Sequence, residues 1–250
     1  MFCKSDHLLT TPGDAKSLPV RWSGQSGGQA VFDIIFGKRT PAGRLVTTQY
    51  PADYVDEFYQ LDMTLASTDS SPGQTYMWYT GTPVYAFGHG LFYTTFTESL
   101  VASFKSRTYN ITNLFAQPHA GYEFAEQSPL SNFTFAVENT GNVTSDYSAM
   151  LFVSTTSGTI PRPLKWLVGI DRVADIAPGA CSTVIIPVPI GALARADNNG
   201  NLVVFPGSYT LALKNEASVT YNFTLTGTPA TIAKWPLAAQ RIPAATITRM

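Results

Sequence analysis

The sequence predicts a mixed fold, in which an irregular, aromatic-rich first half with one helix precedes an all-β sandwich. Two observations predict the sandwich. Short segments of the second half alternate apolar with small or polar residues, as strands with one buried face do, and turns rich in Gly, Pro and Asn separate them. Roughly seven short strands over about 100 residues, without a long helical pattern, are typical of a two-sheet sandwich. The clearest segments are 133–137, 147–153, 184–188, 209–213 and 221–225.

The first half contains too few elements to complete a domain. A glycine-rich turn at 24–28 precedes an apolar run at 29–36, which predicts about two and a half turns of largely buried helix, ended by Gly37 in a left-handed conformation. Residues 44–50 are strand-like, and 51–95 form a Pro- and aromatic-rich stretch. An α/β domain needs several parallel strands covered on both faces. We therefore expect the first half to be poorly ordered alone, with a protease-resistant core of about 100 residues in the sandwich.

Composition argues against several classes of partner. Charged residues make up 13% of the chain and the formal net charge is −1, which is unlike a surface for nucleic acid or anionic lipid. No apolar stretch reaches the roughly 20 residues that a membrane span needs. Cys3 and Cys181 are far apart, and the histidines are scattered, so no metal site or cofactor is expected. The histidines are His7, His89 and His119.

Signals for the compartment conflict. Four Asn-x-Thr sequons begin at Asn110, Asn132, Asn142 and Asn222, and these are candidate glycosylation sites of a secreted protein. The alternation of the strands places Asn132 and Asn222 on the solvent side. Residues 1–20, however, contain no apolar core of a signal peptide. We therefore expect the original start of the protein to lie upstream.

Several blocks of sequence occur in an order shared with one enzyme family. The first half contains Gly-Gln-Ser-Gly-Gly at 24–28 and Phe-Gly-His-Gly-Leu followed by Tyr-Thr-Thr-Phe within 87–96. The second half contains Val-Glu-Asn-Thr-Gly at 137–141 and Phe-Pro-Gly-Ser-Tyr at 205–209. These blocks resemble multidomain glycoside hydrolases of family 3, which have a (β/α) barrel, an α/β sandwich and a fibronectin type III-like domain. The chain is similar to the end of the second domain and to all of the third.

The resemblance implies five consecutive regions. They are an unassigned segment, a remnant of the α/β sandwich domain, a linker with a first strand, an immunoglobulin-like (fibronectin type III-like) sandwich, and a tail. The regions comprise residues 1–20, 21–96, 97–130, 131–228 and 229–250.

The block at 48–54, Thr-Gln-Tyr-Pro-Ala-Asp-Tyr, looks like the version found in fungal β-xylosidases. That resemblance implies a parent enzyme that releases xylose from xylo-oligosaccharides with retention of configuration. The family's nucleophilic aspartate belongs to the barrel, and its acid/base glutamate precedes the matched part of the second domain. No catalytic residue is therefore assigned to this chain, which is expected to need the missing barrel and to be inactive alone. Specificity for xylose, arabinose or glucose stays open.

Two catalytic alternatives come from the residues themselves. Asp53, Asp56, Glu57 and Asp62 lie close together in sequence, but a retaining glycosidase needs two carboxyl groups about 5–5.5 Å apart, and a solvated loop explains them more simply. The pattern at 24–28 also fits the Gly-x-Ser-x-Gly nucleophile elbow, with Ser26 as nucleophile and His89 downstream. The simpler interpretation is a tight turn whose glycines allow close approach of the backbone to the helix start.

The aromatic residues of the first half allow two interpretations. Such rings stack on sugars in some sites, but alternating aromatics more often pack between domains. The aromatic set is Tyr76, Trp78, Tyr79, Tyr85, Phe87, Phe92 and Tyr93. A non-catalytic sandwich that binds carbohydrate or protein is the alternative function, and Trp78 or Trp166 would carry sugar binding in it.

Overall fold

The computed structural model describes residues 24–57, 59, 61–102, 106–116, 125–127, 129–214 and 218–235. The expectations for residues 1–20, and those for the tail after residue 235, lie outside these ranges. Within them, the second half is a β-sandwich and the first half contains three helices joined by irregular segments. The mixed fold class predicted from the sequence is confirmed.

Four α-helices are present in the described residues. They are α1 (Gly27–Ile35), α2 (Tyr54–Glu57), α3 (Thr75–Trp78) and α4 (Ile111–Ala116), with short 3-10 helices at Ala125–Gln127 and Ile190–Leu193. Helix α1 confirms the helix expected at 29–36, and Gly37 follows it with a φ of 71°.

Eleven strands build three sheets in the described part of the chain. They are β1 (Phe96–Ala102), β2 (Thr108–Asn110), β3 (Pro129–Asn139), β4 (Ser145–Thr155), β5 (Trp166–Ile176), β6 (Cys181–Pro189), β7 (Arg195–Ala196), β8 (Leu202–Val204), β9 (Gly207–Leu213), β10 (Val219–Thr226) and β11 (Ala230–Ala233). The sheet orders are β1-β3-β6, β2-β10-β9-β4-β5 and β11-β8-β7. All pairings are antiparallel except that of β2 with β10.

The sandwich core lies between the three-stranded sheet β1-β3-β6 and the five-stranded sheet. Phe133, Phe135 and Val137 of β3 have no exposed surface, whereas the intervening residues are half-buried. Tyr221 and Phe223 of β10 face the core in the same way. This period-two burial confirms the register expected from the sequence. The five segments predicted as strands all lie within β3, β4, β6, β9 and β10.

Strand β4 is buried on both faces. Leu151 faces the core, and Phe152 on the opposite face is only 1% exposed. Phe152 is covered by the first half, since the ring centroids of Tyr76 and Phe87 lie 5.8 and 6.1 Å from that of Phe152. Tyr76 and Phe87 stack on one another at 4.1 Å. We call this contact between the first half and strands β4 and β5 the seam.

Hydrogen bonds fix the seam along one edge of β4. Thr40 Oγ1 donates to Ser145 Oγ at 2.5 Å. Ser148 Oγ donates to the carbonyl oxygen of Ala42 at 2.8 Å, and Arg44 Nε donates to the carbonyl oxygen of Ser148 at 3.1 Å. Residues 40–44 therefore follow the strand in extended form and satisfy polar groups on both sides of the seam.

A second set of bonds closes the seam at the start of β5. The backbone N–H of Leu164 donates to the carbonyl oxygen of Met77 at 2.7 Å, and that of Leu167 donates to Tyr76 Oη at 3.0 Å. Both ends of the seam are thus held by hydrogen bonds, with the aromatic contacts to Phe152 between them.

A cluster of polar side chains lies next to the seam and consists of Arg44, Tyr147, Glu98 and Lys214. The Arg44 guanidinium carbon lies 4.8 Å from the ring centroid of Phe92 and 5.5 Å from that of Tyr147. Tyr147 Oη donates to Glu98 Oε1 at 2.8 Å, and Glu98 forms an ion pair with Lys214. Burial, and then the Glu98 charge, raise the pKa of Tyr147 above its ordinary value. Tyr147 therefore stays protonated and donates to Glu98 throughout the neutral range.

Asn139 joins the two halves at the end of β3. Its Oδ1 accepts hydrogen bonds from Thr94 Oγ1 at 2.6 Å and from the backbone N–H of Gly141 at 3.1 Å. Its Nδ2 donates to the carbonyl oxygens of Val143 at 2.9 Å and Ile176 at 2.8 Å. The side chain has no exposed surface, so the carboxamide uses both donors and both acceptor positions inside the protein.

Some expectations need correction. Residues 44–50 form no strand, although Leu45 and Gln49 exchange backbone hydrogen bonds with residues 84–89. Helix α1 is not largely buried, since Phe32 is 60% exposed. Residues of the first half pack on β4 through Tyr76 and Phe87, a contact that the expectation of a poorly ordered first half did not include.

The stretch at 97–130, expected to hold a linker and a first strand, contains more than one strand. Strand β1 pairs with β3 from Phe96 onward and lies where the first strand is expected, whereas β2, which pairs with β10, and the start of β3 at Pro129 also lie in this stretch. Strand β11 lies in the described part of 229–250 and pairs with β8.

We predict that Asn139→Ala lowers the free energy of unfolding by about 3 kcal/mol, because it leaves several buried polar groups without partners at about 1–3 kcal/mol each. Urea denaturation measures the loss. The neighbouring exposed Glu138 provides the control, and Glu138→Ala should change the stability by less than about 0.5 kcal/mol. Equal stabilities of the two variants would contradict the role assigned to Asn139.

We predict that Phe87→Asp detaches the first half from an intact sandwich, because it places a carboxylate in the aromatic contact with Phe152. Limited proteolysis followed by mass spectrometry should give a resistant fragment that includes residues 40–90 for the unchanged chain and a sandwich fragment alone for the variant. Val55 is 73% exposed in the same half, so Val55→Asp should behave like the unchanged chain. The seam is wrong if the unchanged chain is also trimmed to the sandwich.

Candidate docking surface

One side of helix α1 is apolar and open to solvent. Phe32, Ile35 and Phe36 are spaced i, i+3 and i+4, which places them on one side of the helix. They are 60%, 64% and 68% exposed, and the rings of Phe32 and Phe36 stack with centroids 5.3 Å apart. We call these three residues the α1 face.

The helix that carries the α1 face is held by local contacts. Ser26 is its N-cap residue, although the Ser26 side chain makes no capping hydrogen bond. Gln29 Nε2 donates to Asp33 Oδ1 at 2.7 Å on the polar side. At the other end, Tyr93 Oη donates to the carbonyl oxygen of Ile34 at 2.9 Å, which ties the last turn to the segment that leads into β1.

The segment after α1 exposes more large apolar side chains. Their exposed fractions run from 49% to 86%. They are Val46, Val55, Tyr59, Leu61, Met63 and Leu65. A single exposed apolar residue is ordinary, whereas a contiguous apolar patch is typical of a surface that binds another polypeptide.

Three tyrosines hold this segment in place. The ring of Tyr54 stacks on Tyr50 at 4.1 Å and meets Tyr79 edge-on at 5.5 Å. Tyr54 Oη donates to the carbonyl oxygen of Gly73 at 3.0 Å. Burial raises the pKa of Tyr54 to about 12 and also raises that of Tyr79. Both hydroxyls are therefore neutral at physiological pH, and their role is packing.

The four acidic residues clustered at 53–62 do not build a catalytic pair. Asp53, Asp56 and Glu57 are exposed on or beside the single turn of α2. Asp62 accepts a hydrogen bond from the backbone N–H of Thr64 at 2.8 Å, which lowers the pKa of that carboxyl group. This local turn is the solvated loop that the sequence indicates.

Ser26 lacks the surroundings of a nucleophile. It is exposed, and the residues before it that the structure describes form a turn rather than a strand end. The ring of His89 lies 5.0 Å from that of Tyr85, and no described hydrogen bond joins His89 to Ser26. Added Cβ atoms at Gly24 and Gly28 would meet no described atom within 4 Å. The backbone N–H of Gly27 donates to the carbonyl oxygen of Gly24 at 2.9 Å, which closes a tight turn at the start of the helix.

The aromatic set of the first half packs inside the protein. Tyr76, Phe87 and Phe92 contact the sandwich through Phe152 and Tyr147. Among the rest, Tyr79 is buried, Trp78 and Tyr85 are half-buried, and Tyr93 holds the end of α1. The interpretation as packing between the halves accounts for these contacts.

Trp166 is also engaged within the protein. Its Nε1 donates to the carbonyl oxygen of Ala192 at 2.7 Å, and the Arg195 guanidinium carbon lies 6.0 Å from its ring centroid. The half-buried ring is therefore a poor candidate for stacking on a sugar.

Metal and membrane sites receive no support from the described residues. They contain no group of three or more His, Cys, Asp or Glu side chains placed to hold a metal ion. None of their helices is long and apolar enough to cross a membrane. Cys181 is exposed with a free thiol.

The four sequon asparagines are all exposed. Asn132 lies in β3 and Asn222 in β10, on the solvent side as the register predicts. Asn110 ends β2, and Asn142 lies in the turn between β3 and β4. Glycosylation at these positions stays a prediction.

Sequence reasoning missed the α1 face. The apolar run at 29–36 was interpreted as a buried helix, because apolar side chains usually are buried. The signal that could have revealed it is the absence of enough strands in the first half to cover both sides of such a helix.

Two family models match the chain. The Glycosyl hydrolase family 3 C-terminal domain matches residues 13–93, and the Fibronectin type III-like domain matches residues 148–217. The first match lies in the first half and the second lies in the sandwich. Residues of the two matched regions contact one another at the seam.

Curated relatives are fungal. An exo-1,4-β-xylosidase of Aspergillus oryzae is 57% identical over 224 residues, which cover 88% of this chain and 28% of the relative. One of Emericella nidulans is 54% identical over 217 residues, which cover 86% of this chain and 27% of the relative. The chain thus spans under a third of the length of these relatives.

Solved structures are similar to the chain over most of its length. A family 3 exo-β-xylosidase in complex with a xylobiose aziridine probe has a TM-score of 0.83 and 54% identity, covering 87% of this chain and 28% of that one. β-Glucosidase 3B of Thermotoga neapolitana has a TM-score of 0.63 at 23% identity, over 84% of this chain and 28% of its own, which shows the fold alone. The chain thus carries a match to the glycoside hydrolase family 3 C-terminal domain followed by a match to the fibronectin type III-like domain, and over most of its length it is similar to fungal exo-1,4-β-xylosidases.

Proposed function

We propose that the chain serves as the C-terminal part of a secreted exo-1,4-β-xylosidase that acts on xylo-oligosaccharides. The observation that carries this proposal is 57% identity to an exo-1,4-β-xylosidase over 88% of the chain. Retaining hydrolysis needs a nucleophilic carboxylate and a protonated carboxyl group on either side of the glycosidic bond. In this proposal both groups belong to the part of the enzyme that the chain does not span.

The α1 face is the proposed attachment point for that other part. Three large apolar side chains of this face stand in water, and covering each is worth about 1.5–3 kcal/mol. Since the chain spans 28% of the length of its relative, the remaining polypeptide is the natural occupant. The exposed apolar residues at 46–65 lie in the same half, and their contact with the remaining polypeptide would add to the apolar area that is buried.

The positions of the sequons support docking through the half that carries the α1 face. The first asparagine of the chain is Asn110, which begins the first of the four sequons. The half that carries the α1 face therefore has no site for an N-linked glycan, and the sandwich has four exposed ones. Glycans on the sandwich would leave the proposed docking half clear.

We predict that the chain alone releases no nitrophenol from 4-nitrophenyl-β-xylopyranoside. Co-expression with the part of the Aspergillus oryzae relative that it does not match should restore hydrolysis. The double variant Phe32→Asp/Ile35→Asp should lower the restored activity at least about tenfold, because two charges would face an apolar interface.

Ile170→Asp is the matched control, since Ile170 is an exposed apolar residue (68%) on β5. It should reconstitute like the unchanged chain. Hydrolysis by the purified chain alone would overturn the assignment of both catalytic groups to the other part. Full activity of the double variant would overturn the docking role of the α1 face.

We predict that the chain, secreted from a fungal host, carries glycans at Asn110, Asn132, Asn142 and Asn222. Each Asn→Gln substitution should remove the mass of one glycan in intact-mass spectra before, but not after, enzymatic deglycosylation. Asn198→Gln is the control, because Asn198 is exposed but begins no sequon. A secreted chain with its unmodified mass would contradict the prediction.

A further inference from the structure

An exposed indole lies at the end of the small sheet β11-β8-β7. Trp235 is 63% exposed and follows β11 by two residues. In the pairing of β11 with β8, Ala233 lies opposite Leu202. Continuing this antiparallel register brings Trp235 beside Gly200, in the turn that joins β7 to β8.

Contacts with the turn hold Trp235 in place. The backbone N–H of Trp235 donates to Asn201 Oδ1 at 3.1 Å. A Cβ atom at Gly200 would lie 3.1 Å from Cγ and 3.3 Å from Cδ2 of the indole, and Gly200 has a φ of 81°. The ring therefore rests against a position that only glycine fits without strain. One part of the ring is supported by backbone and the rest faces solvent.

The turn beneath the indole is rigid. Asp197 Oδ1 accepts hydrogen bonds from the backbone N–H groups of Asn199 and Asn201, both at 2.8 Å. Asp197 Oδ2 accepts from Asn201 Nδ2 at 3.0 Å. Hydrogen bonds from Asn201 are the main cause that lowers the pKa of Asp197. Both oxygens of the Asp197 carboxylate thus accept hydrogen bonds within the turn.

Two further carboxamides in this turn are exposed. Asn198 and Asn199 stand on the surface, and their side chains make no hydrogen bond in the described part of the chain. A carboxamide offers one acceptor and two donors, which suits the vicinal hydroxyls of a pyranose. A supported indole on the same turn as two such groups combines an apolar surface for the C–H face of a sugar ring with polar groups for its edge.

We propose that Trp235 and the turn at 197–201 form a binding platform for a neutral β-1,4-linked xylose chain. The choice of xylose rests on the proposed function. The platform would keep xylan or long xylo-oligosaccharides near the enzyme, and Trp235 would replace Trp78 and Trp166 as the residue that stacks on sugar.

Binding of the full 250-residue chain to xylohexaose by calorimetry, and to insoluble xylan by pull-down, tests the platform. We expect binding by the unchanged chain, a loss of affinity of at least about tenfold in Trp235→Ala, and a smaller loss in Asn198→Ala/Asn199→Ala. Trp235→Tyr should keep part of the affinity. Ile170→Ala, at another exposed apolar position, should bind normally, and circular dichroism checks that each variant is folded.

The platform is overturned if the unchanged chain does not bind xylan, or if Trp235→Ala binds as well as the unchanged chain. Equal binding to cellulose would overturn the assignment to xylose. The proposed function is tested separately by reconstituted hydrolysis. Restored hydrolysis without xylan binding would reject the platform alone, and xylan binding without restored hydrolysis would reject the proposed function alone.

Discussion

The arrangement of the chain depends on strand β4 being buried on both faces. Its inner face fills the sandwich core, and its outer face presents Phe152 to the rings of Tyr76 and Phe87. A strand of this kind couples two layers, because a change on either face disturbs the same backbone. The hydrogen bonds of residues 40–44 to β4 and those of Leu164 and Leu167 to residues 76–77 extend this coupling to both ends of the contact.

This coupling explains how a first half with so few regular elements has a defined conformation. Residues 40–90 use the sandwich as the layer against which they bury their aromatic side chains, as an incomplete domain must. Helix α1 is connected to this unit mainly at its last turn, through Tyr93. Its apolar face is therefore presented outward on an ordered support, which is the geometry expected of a pre-formed docking element.

The sandwich could be predicted because its strands alternate strictly, as at Phe133, Phe135 and Val137. Strand β5 was not predicted, because as an edge strand it shows no clean alternation of burial. The seam was also out of reach, since the burial of Phe152 depends on residues about 65 to 76 positions earlier in the chain and no local period records such a contact. The four candidate glycosylation sites could be identified because a sequon is a local triplet of residues. The exposure of helix α1, by contrast, could not be predicted, because it depends on which sheets and helices are present to cover the helix.

The central claim is that residues 40–90 and the sandwich form one cooperative unit that displays α1 for the remainder of a family 3 enzyme. Hydrogen–deuterium exchange tests it directly. In the chain alone, the amides of Leu45, Gln49 and Gly88 should be protected as strongly as those of β4, whereas α1 should exchange quickly. Addition of the complementary polypeptide should slow exchange in α1. Fast exchange at residues 45–49 and 84–88, or an α1 unaffected by the complement, would contradict the account.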